Sequence, residues 1–326
     1  MLEHGGQIRQ AALRYGIPPE GWLDLSTGIN PIGWPVPAMP PECWRRLPES
    51  NDGLELAACG YYGCASLLAV AGSQAAIRAL PDLRSPCRVG VLAPTYAEHS
   101  HAWLRAGHAV EPLAPGDIDR CLDRFDVLVL VNPNNPTGGR FPVETLRAWH
   151  GRLAARGGWL VVDEAFMDVT QEDSLALHSG ADGLVVLRSL GKFFGLAGAR
   201  VGFVLAWPEL LERLSEAQGP WTLAHPARHA ARLALVDAAW QNTARQRLED
   251  SSGRLADLLA RYGLPPGGGT ALFQWVECER APTLHEALAQ KGILVRRFDD
   301  PVGLRFGLPG AEAEWQRLEQ ALRGLS

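Results

Sequence analysis

The chain has 326 residues, a formal net charge of −5 and 47% hydrophobic residues, which allows one large domain or two unequal domains with a sizeable core. Its charges are of mixed sign and form no basic stripe, so the sequence does not favour nucleic-acid binding. It holds no apolar run of about 20 residues, the length that a membrane-spanning helix needs, and the first residues do not resemble a signal peptide. We therefore expect a cytoplasmic protein with no membrane partner.

The six cysteines are dispersed along the chain, and none belongs to a C-x-x-C pair. This spacing predicts buried free thiols in a reducing compartment rather than a disulfide framework. It also lacks the ligand spacing of a structural zinc site, so we expect no bound metal.

An amphipathic helix is predicted near 7–15, and a proline-rich connector follows over 30–41. Short apolar runs, typical of strands buried on both faces, then alternate with helical patterns. The predicted strands are 89–92, 127–131, 159–162, 184–187 and 201–204, and the predicted helices are 66–80, 97–106 and 142–156. This alternation predicts an α/β fold in which helices cover a mostly parallel sheet.

From Pro208 to residue 262 helical periodicity dominates, with breaks predicted at Pro220 and Pro226. A loop at 265–269 then leads into a smaller α+β segment. Its predicted elements are a strand near 271–277, a helix near 283–291, strands near 293–297 and 302–306, and a helix near 311–324. We expect 1–45 to form an N-terminal arm and part of the small domain, 46–220 the large domain and 221–326 the small C-terminal domain.

Three polar signatures follow the carboxyl ends of predicted strands, the edge where open parallel sheets bind ligands. They are N-P-N-N-P-T-G at 132–138, D-E-A-F at 163–166 and S-L-G-K at 189–192. The last contains Lys192, three residues after Ser189 and eight before Arg200. A lysine between two phosphate-binding groups, just past a strand, is typical of one that holds pyridoxal phosphate as a Schiff base.

The order N-P-x-N-P-T-G, V-D-E-A, S-x-x-K and a trailing arginine resembles the fold-type I pyridoxal-phosphate enzymes. Among these it is similar to the histidinol-phosphate aminotransferase branch, over nearly the whole chain. The resemblance implies a large domain with a mostly parallel sheet between helices and a smaller α+β domain. It also implies pyridoxal 5′-phosphate as cofactor, a small phosphorylated amino acid as substrate and a homodimer with active sites at the subunit interface.

The resemblance implies a role for each matching residue. Lys192 would bind the cofactor covalently and then act as base or acid, and Asp163 would pair with the protonated pyridine nitrogen. Asn135 would donate a hydrogen bond to the phenolic oxygen of the ring. Tyr96, in A-P-T-Y, would stack on the ring.

Other matching residues would hold charged groups. The cofactor phosphate would be bound by Ser189, Arg200 and the turn that opens a helix at 73–80, with Ser73 and Gln74, because helix N-termini favour anions. Arg305, in G-L-R-F-G, would bind the substrate carboxylate through two parallel hydrogen bonds from its guanidinium group.

Two positions depart from the pattern of these enzymes. Phe166 stands where a tyrosine often donates to the phenolic oxygen, so that donor is missing. Leu47 replaces a tyrosine that reaches the cofactor phosphate of the partner subunit. Tyr61 or Tyr62 is a candidate substitute for that contact.

The start H-G-G-Q at 4–7 and the stretch D-L-S-T-G-I-N-P-I-G at 24–33 resemble the threonine-phosphate decarboxylases of cobalamin biosynthesis. Phe166 fits that branch as well. The resemblance implies decarboxylation of threonine phosphate. Transamination by a histidinol-phosphate aminotransferase is the alternative, and a regulatory protein that keeps the cofactor without turnover is another.

Both enzyme readings require a subsite for the phosphate of the substrate. Glycine permits close backbone approach to an anion, which makes the H-G-G start a candidate. The residues predicted to contribute are His4, Gly5, Gly6, Asn30 and an arginine such as Arg296 or Arg297. Arg14, on the amphipathic helix, is a weaker candidate.

Overall fold

The computed structural model describes residues 4–325. The helices in this part of the chain are α1 (Ile8–Tyr15), α2 (Glu42–Arg45), α3 (Leu54–Tyr62), α4 (Ser73–Ala79), α5 (Glu98–Arg105), α6 (Ile118–Cys121), α7 (Val143–Ala154), α8 (Pro208–Gln218), α9 (His225–Val236), α10 (Ala238–Arg261), α11 (Ala281–Gln290) and α12 (Glu312–Arg323). The strands are β1 (Leu23–Leu25), β2 (Leu68–Val70), β3 (Arg88–Leu92), β4 (Ala109–Leu113), β5 (Val127–Val131), β6 (Trp159–Asp163), β7 (Leu184–Ser189), β8 (Gly202–Leu205), β9 (Gly268–Thr270), β10 (Phe273–Glu277), β11 (Ile293–Asp299) and β12 (Val302–Gly307). No helix among these described residues is both long and apolar enough to cross a membrane.

Contacts divide the chain into two units. The larger comprises Gly33–Asn135 and Arg140–Asn242, and the smaller comprises Pro136–Gly139, the described residues up to Ile32 and those from Thr243 onward. These boundaries lie at 32/33 and 242/243, whereas the sequence pattern placed them at 45/46 and 220/221. The second contact boundary falls inside α10, where no sequence break marks it.

The sheet of the larger unit has the strand order β2-β8-β7-β6-β5-β3-β4. Strands β7, β6, β5, β3 and β4 are parallel, while β8 runs antiparallel to β7 and to β2. Every residue of β5 and β6 is buried, as expected for central strands covered on both faces. The prediction of a mostly parallel sheet is therefore confirmed.

The predicted helix at 66–80 is wrong over its first part. Leu68–Val70 forms β2, which pairs with β8, and α4 begins only at Ser73. Gly72 has φ 74°, a left-handed value that glycine adopts without strain, and it turns the chain between the two elements. A run of three apolar residues fits a strand or a helix equally well, so the pattern alone did not separate them.

The predicted break at Pro226 is also wrong, because this proline lies in the first turn of α9. The N–H that proline lacks has no intrahelical partner there, so the residue starts the helix instead of interrupting it. The chain breaks at Asp237, between α9 and α10. Pro220 does lie between helices α8 and α9, as predicted.

The sheet of the smaller unit has the order β1-β11-β12-β10-β9, with β1 parallel to β11 and the other pairs antiparallel. The predicted α+β segment is confirmed by β10, α11, β11, β12 and α12. The predicted loop at 265–269 is partly wrong, because Gly268 and Gly269 belong to β9 and pair with β10. A Cβ on Gly268 would overlap the carbonyl oxygen of Thr137, so the glycine-rich sequence serves close backbone packing here.

In the larger unit, a buried arginine ties α9 to the start of α3. Arg228 donates to both oxygens of Asp52, at 2.7 Å each, and to both oxygens of Glu55, at 2.9 and 2.7 Å. Burial alone would raise the pKa of Asp52, but the hydrogen bonds from Arg228 and from the Leu54 N–H hold it below its ordinary value. Asp52 therefore stabilises the fold above its unfolded pKa, and this stability is lost as the pH falls through its folded pKa.

We predict that Arg228→Met lowers the free energy of unfolding by about 2 kcal/mol at neutral pH, because two carboxylates lose their common partner. The variant should also lose less stability on acidification than the parent, since the pKa of Asp52 returns toward its ordinary value. Urea unfolding at pH 7 and at about pH 3, below the ordinary pKa of Asp52, measures both effects. Arg120→Met, which removes an exposed pair with Asp117, should change stability by less than about 1 kcal/mol. Equal losses in the two variants would contradict the prediction.

Candidate active site

The ends of three neighbouring parallel strands bring the polar signatures to one edge of the larger sheet. Val131 of β5 lies opposite Asp163 of β6, and Asp163 lies opposite Leu187 of β7. Asn132 directly follows β5, and Ser189 is the last residue of β7. The three signatures therefore share the carboxyl edge of the sheet, as the sequence predicts.

Asp163 is a buried carboxylate with a hydrogen-bond partner on each oxygen. It is 3% exposed, and its Oδ1 accepts the Ala165 N–H at 3.0 Å. Its Oδ2 lies 3.0 Å from Nε2 of His99, a buried residue of α5. An ionised carboxylate only accepts, so His99 donates from Nε2 and fixes the orientation of Asp163. Sequence reasoning missed His99, because a histidine inside a predicted helix carries no signal of its own.

The turn that carries Lys192 is anchored by aromatic contacts on its C-terminal side. Phe193 and Phe194 are buried, with ring centroids 5.4 and 5.6 Å from that of Trp240. Lys192 is half-buried, and its Nζ lies 5.3 Å from the ring centroid of Phe166. The ring of Phe166 covers one side of the amine and offers it no hydrogen-bonding group.

Close backbone packing shapes a cationic cradle at the start of α4. Arg200 has φ 55°, and its guanidinium lies so near Gly72 that a Cβ there would overlap it. A Cβ on Gly202 would likewise overlap the backbone nitrogen of Ser73. Glycine at both positions therefore lets an arginine and the N–H groups of a helix N-terminus meet. This donor set suits a phosphate group.

Tyr96 is held by hydrogen bonds to the same helix start. Its hydroxyl donates to Oε1 of Gln74 at 3.2 Å, and Nε2 of Gln74 donates to Glu98 at 2.6 Å. The Tyr96 ring meets His99 edge-on, with centroids 6.1 Å apart. The Tyr96 ring and the buried His99 therefore pack directly against each other.

The loop that carries Asn135 is fixed by the residue before it. Asn134 is buried, accepts from the Thr95 hydroxyl at 2.8 Å and donates to the Pro94 carbonyl at 2.9 Å. These bonds join the loop after β5 to the loop after β3. Asn135 is half-buried at the end of this loop, within the larger unit.

Behind this edge lies a buried charge network centred on Arg188, the residue before Ser189. Arg188 is fully buried and donates to Glu164 at 2.7 Å and to Asp168 at 2.8 Å. Burial alone would lower the pKa of Arg188, but the two carboxylates raise it, so the guanidinium stays charged. Ser174 also donates to Glu164.

Two tyrosines of α3 contact the charge network of their own chain. The Tyr61 hydroxyl donates to Asp168 at 3.1 Å, and the ring of the buried Tyr62 lies 4.6 Å from the Arg188 guanidinium carbon. Burial of Tyr62 removes it as a substitute for the contact that Leu47 lacks. Leu47 itself is 62% exposed.

In the smaller unit, two of the predicted arginines lie side by side on the sheet. Arg296 of β11 and Arg305 of β12 are direct cross-strand partners, so their side chains share one face. Arg305 is 5% exposed, and its guanidinium donates to the Ser26 carbonyl at 2.6 Å. Its guanidinium carbon lies 5.1 Å from the centroid of the Phe273 ring.

The smaller unit also contains a cavity of about 400 Å³. Among the residues that line it are His4, Gly5, Arg14, Ser26, His285 and Arg296. None of the lining side chains in the described part of the chain is a carboxylate. The cavity is therefore suited to an anion.

Glycines hold the N-terminal segment close to β1, beside the cavity. A Cβ on Gly5 would overlap the Ser26 carbonyl, and the N–H of Gly6 donates to the Ser26 hydroxyl at 2.8 Å. Ser26 in turn donates to Asp24 at 2.6 Å. This packing places His4 on the cavity wall.

The structure brings some of the predicted substrate residues together and not others. His4, Gly5, Arg14 and Arg296 line the cavity. Within the described residues, Gly6, Asn30, Arg297 and Arg305 are not part of its lining. Asn30 is buried and accepts the Ile32 N–H at 3.0 Å. His285 lines the cavity but was missed, because its helix gives only an amphipathic pattern.

Comparison with known proteins places the chain among enzymes. The family model "Aminotransferase class I and II" matches residues 52–322. A threonine-phosphate decarboxylase of Pseudomonas aeruginosa is 57% identical, over 99% of this chain and 98% of that protein. A histidinol-phosphate aminotransferase of a Geobacter species is 31% identical, over 71% of this chain and 66% of that protein. The crystal structure of the histidinol-phosphate aminotransferase from Clostridium acetobutylicum superposes with a TM-score of 0.82 at 21% identity, covering 93% of this chain and 98% of that one.

We predict that Arg188→Met lowers the free energy of unfolding by about 3–5 kcal/mol, because Glu164 and Asp168 would stay buried without their cation. Guanidinium chloride unfolding of the purified protein measures the loss. As a matched control, Arg152→Met removes half-exposed pairs with Asp119 and Asp123 and should cost less than about 1 kcal/mol. A loss below 1 kcal/mol in Arg188→Met would show that the network does not stabilise the fold.

Proposed function

Because the chain belongs to the class I and II aminotransferase family, we propose that it is an enzyme that decarboxylates L-threonine O-3-phosphate to (R)-1-amino-2-propanol O-2-phosphate. The observation that carries this proposal is the 57% identity to a threonine-phosphate decarboxylase over 99% of the chain. The match to a histidinol-phosphate aminotransferase is 31% identical and covers 71%. A role in cobalamin biosynthesis, implied by the resemblance, belongs to the same proposal.

Decarboxylation breaks the bond between Cα and the carboxylate, releases CO2 and puts a proton on Cα. Pyridoxal 5′-phosphate, the cofactor, supplies the electron sink that accepts the bonding pair. The residues of the larger unit fit this group, because a buried carboxylate ends β6, an amine follows β7 and a cationic cradle lies at the start of α4. Asp163 would keep a proton on the ring nitrogen, and His99 would keep the Asp163 carboxylate in position.

Lys192 has two tasks in this proposal. Its amine would hold the cofactor covalently, and it would return a proton to Cα after CO2 leaves. The aromatic anchor of Phe193 and Phe194 fixes the turn that carries the amine. Phe166 lies beside the amine and excludes water from that side.

The remaining residues of the larger unit would orient the cofactor. Ser73, Gln74, Ser189 and Arg200 would hold its phosphate. The close approach of Arg200 to Gly72 supports this assignment, since it joins a cation to the N–H groups of the helix start. Tyr96 would stack on the ring, and Asn135 would donate to its phenolic oxygen.

The smaller unit would supply the groups that recognise the substrate. We assign the carboxylate to Arg305, whose buried guanidinium is held by the Ser26 carbonyl and Phe273. A firm grip on a carboxylate that must leave stabilises the ground state, so this arginine would act chiefly by orienting the substrate. We assign the substrate phosphate to the cavity with His4, Gly5 and Arg296. Gly6 and Asn30 would support the backbone around it.

We also propose that the enzyme is a homodimer and works in the cytoplasm. The homodimer is the expectation from the resemblance, in which active sites lie at the subunit interface. Trp44, Leu47 and Leu56 of the larger unit are each at least 62% exposed, and such an interface would cover apolar side chains of this kind. The described cysteines are free thiols, as suits a reducing compartment.

The reaction is tested by incubating the protein with threonine phosphate in the presence and absence of a 2-oxo acid. We expect CO2 release without an acceptor, and Lys192→Ala should lose both this release and the cofactor absorbance above about 400 nm, because it lacks the amine that binds the cofactor. Acceptor-dependent exchange on histidinol phosphate, with no CO2 from threonine phosphate, would overturn the proposal in favour of transamination.

We predict that Phe166→Tyr lowers the pH at which the absorbance of the bound cofactor changes. The added hydroxyl would donate to the phenolic oxygen and stabilise its deprotonated form. A spectral titration of the holoenzyme compares the two midpoints. An equal or higher midpoint in Phe166→Tyr would contradict the missing-donor explanation.

A further inference from the structure

His285 lies on the wall of the cavity in the smaller unit, and nothing in the sequence signatures assigns it a role. It belongs to α11, which packs against β11, and it is half-buried. His4, Arg14 and Arg296, from three other segments, also line the cavity. Four basic side chains thus line one cavity.

The charge around His285 is predominantly positive. The charged groups that act on it are Arg14, Arg296, Arg297 and Glu286, and the titratable His4 and Tyr15 line the same cavity. Burial, together with the repulsion from Arg297, lowers the pKa of His285 below its ordinary value, while Glu286 acts in the opposite direction. The imidazole is therefore mainly neutral at pH 7 when the cavity is empty, so it can donate one N–H without adding a further charge.

Glu286 is the one acidic residue in this group. It is not among the described residues that line the cavity, and its carboxylate contacts residues of α1. Its carboxylate accepts the Tyr15 hydroxyl at 2.7 Å and lies 3.4 Å from the Arg14 guanidinium. These contacts direct its negative charge toward α1. The carboxylate therefore offsets part of the Arg14 charge, whereas Arg296 adds a second positive charge to the cavity lining.

We propose that His285 is a specificity-determining residue that binds the phosphate group of the substrate in this cavity, together with His4, Arg14 and Arg296. The inference rests on the proposed function, since that function supplies a substrate with a phosphate. A phosphate monoester carries close to two negative charges at pH 7 and three acceptor oxygens. It therefore matches a cavity with several donors, and its charge favours protonation of His285 on binding.

The proposal is tested by steady-state decarboxylation of threonine phosphate with the holoenzyme of parent and His285→Asn. We expect KM to rise about tenfold or more and kcat to change by less than about twofold, because a charge-assisted hydrogen bond to the phosphate is lost. His285→Gln, whose amide is longer, should recover part of the loss. His101→Asn, an exposed histidine of α5, is the matched control and should leave both constants unchanged.

Two inhibitors separate phosphate recognition from a structural effect. In His285→Asn, the inhibition constant of inorganic phosphate should rise in parallel with KM, whereas that of L-threonine, which has no phosphate, should stay within about twofold of the parent. An equal rise in the two inhibition constants, or an unchanged KM in both His285 variants, would contradict the role of His285 without contradicting the proposed function. Absence of CO2 release by the parent would overturn the proposed function and the inference with it.

Discussion

The ion pairs of Arg188 hold together the carboxyl edge of the larger sheet, where the three polar signatures lie. This fully buried guanidinium joins Glu164, one residue after Asp163, to Asp168, and it directly precedes Ser189. A charge triad in the interior is tolerated only when each member is paired, so the ends of β6 and β7 have little freedom to move apart. The residues that would hold the cofactor are thereby set on rigid strand ends rather than on mobile loops.

Neighbouring contacts extend the same rigidity to the other site residues. His99 fixes Asp163 from α5, Asn134 fixes the loop after β5, and Trp240 anchors the turn of Lys192. Each functional group is therefore held by a partner that itself would not touch substrate. These supporting contacts matter for catalysis, because a displacement of a reacting group by about 1 Å can lower the rate about a hundredfold.

The sequence predicted the strands that carry the site because their apolar runs are continuous over four or five residues and are followed by polar signatures. It failed where the pattern was short or ambiguous, as at Leu68–Val70, which forms a strand instead of a helical turn. Pro226 was misread because proline both starts and breaks helices. His99 and His285 could not be found, since the groups that they meet, Asp163 for His99 and His4 and Arg14 for His285, are distant in the chain and come near only in the fold.

In the proposed reaction these residues direct cleavage of the bond between Cα and the carboxylate. Proton NMR of the product formed from threonine phosphate in D2O tests it most directly. Cleavage of this bond gives aminopropanol phosphate with a single deuterium on the carbon that carried the carboxylate, one molecule for each CO2 released. A 2-oxo phosphate product, formed while the carboxylate is retained, would contradict it.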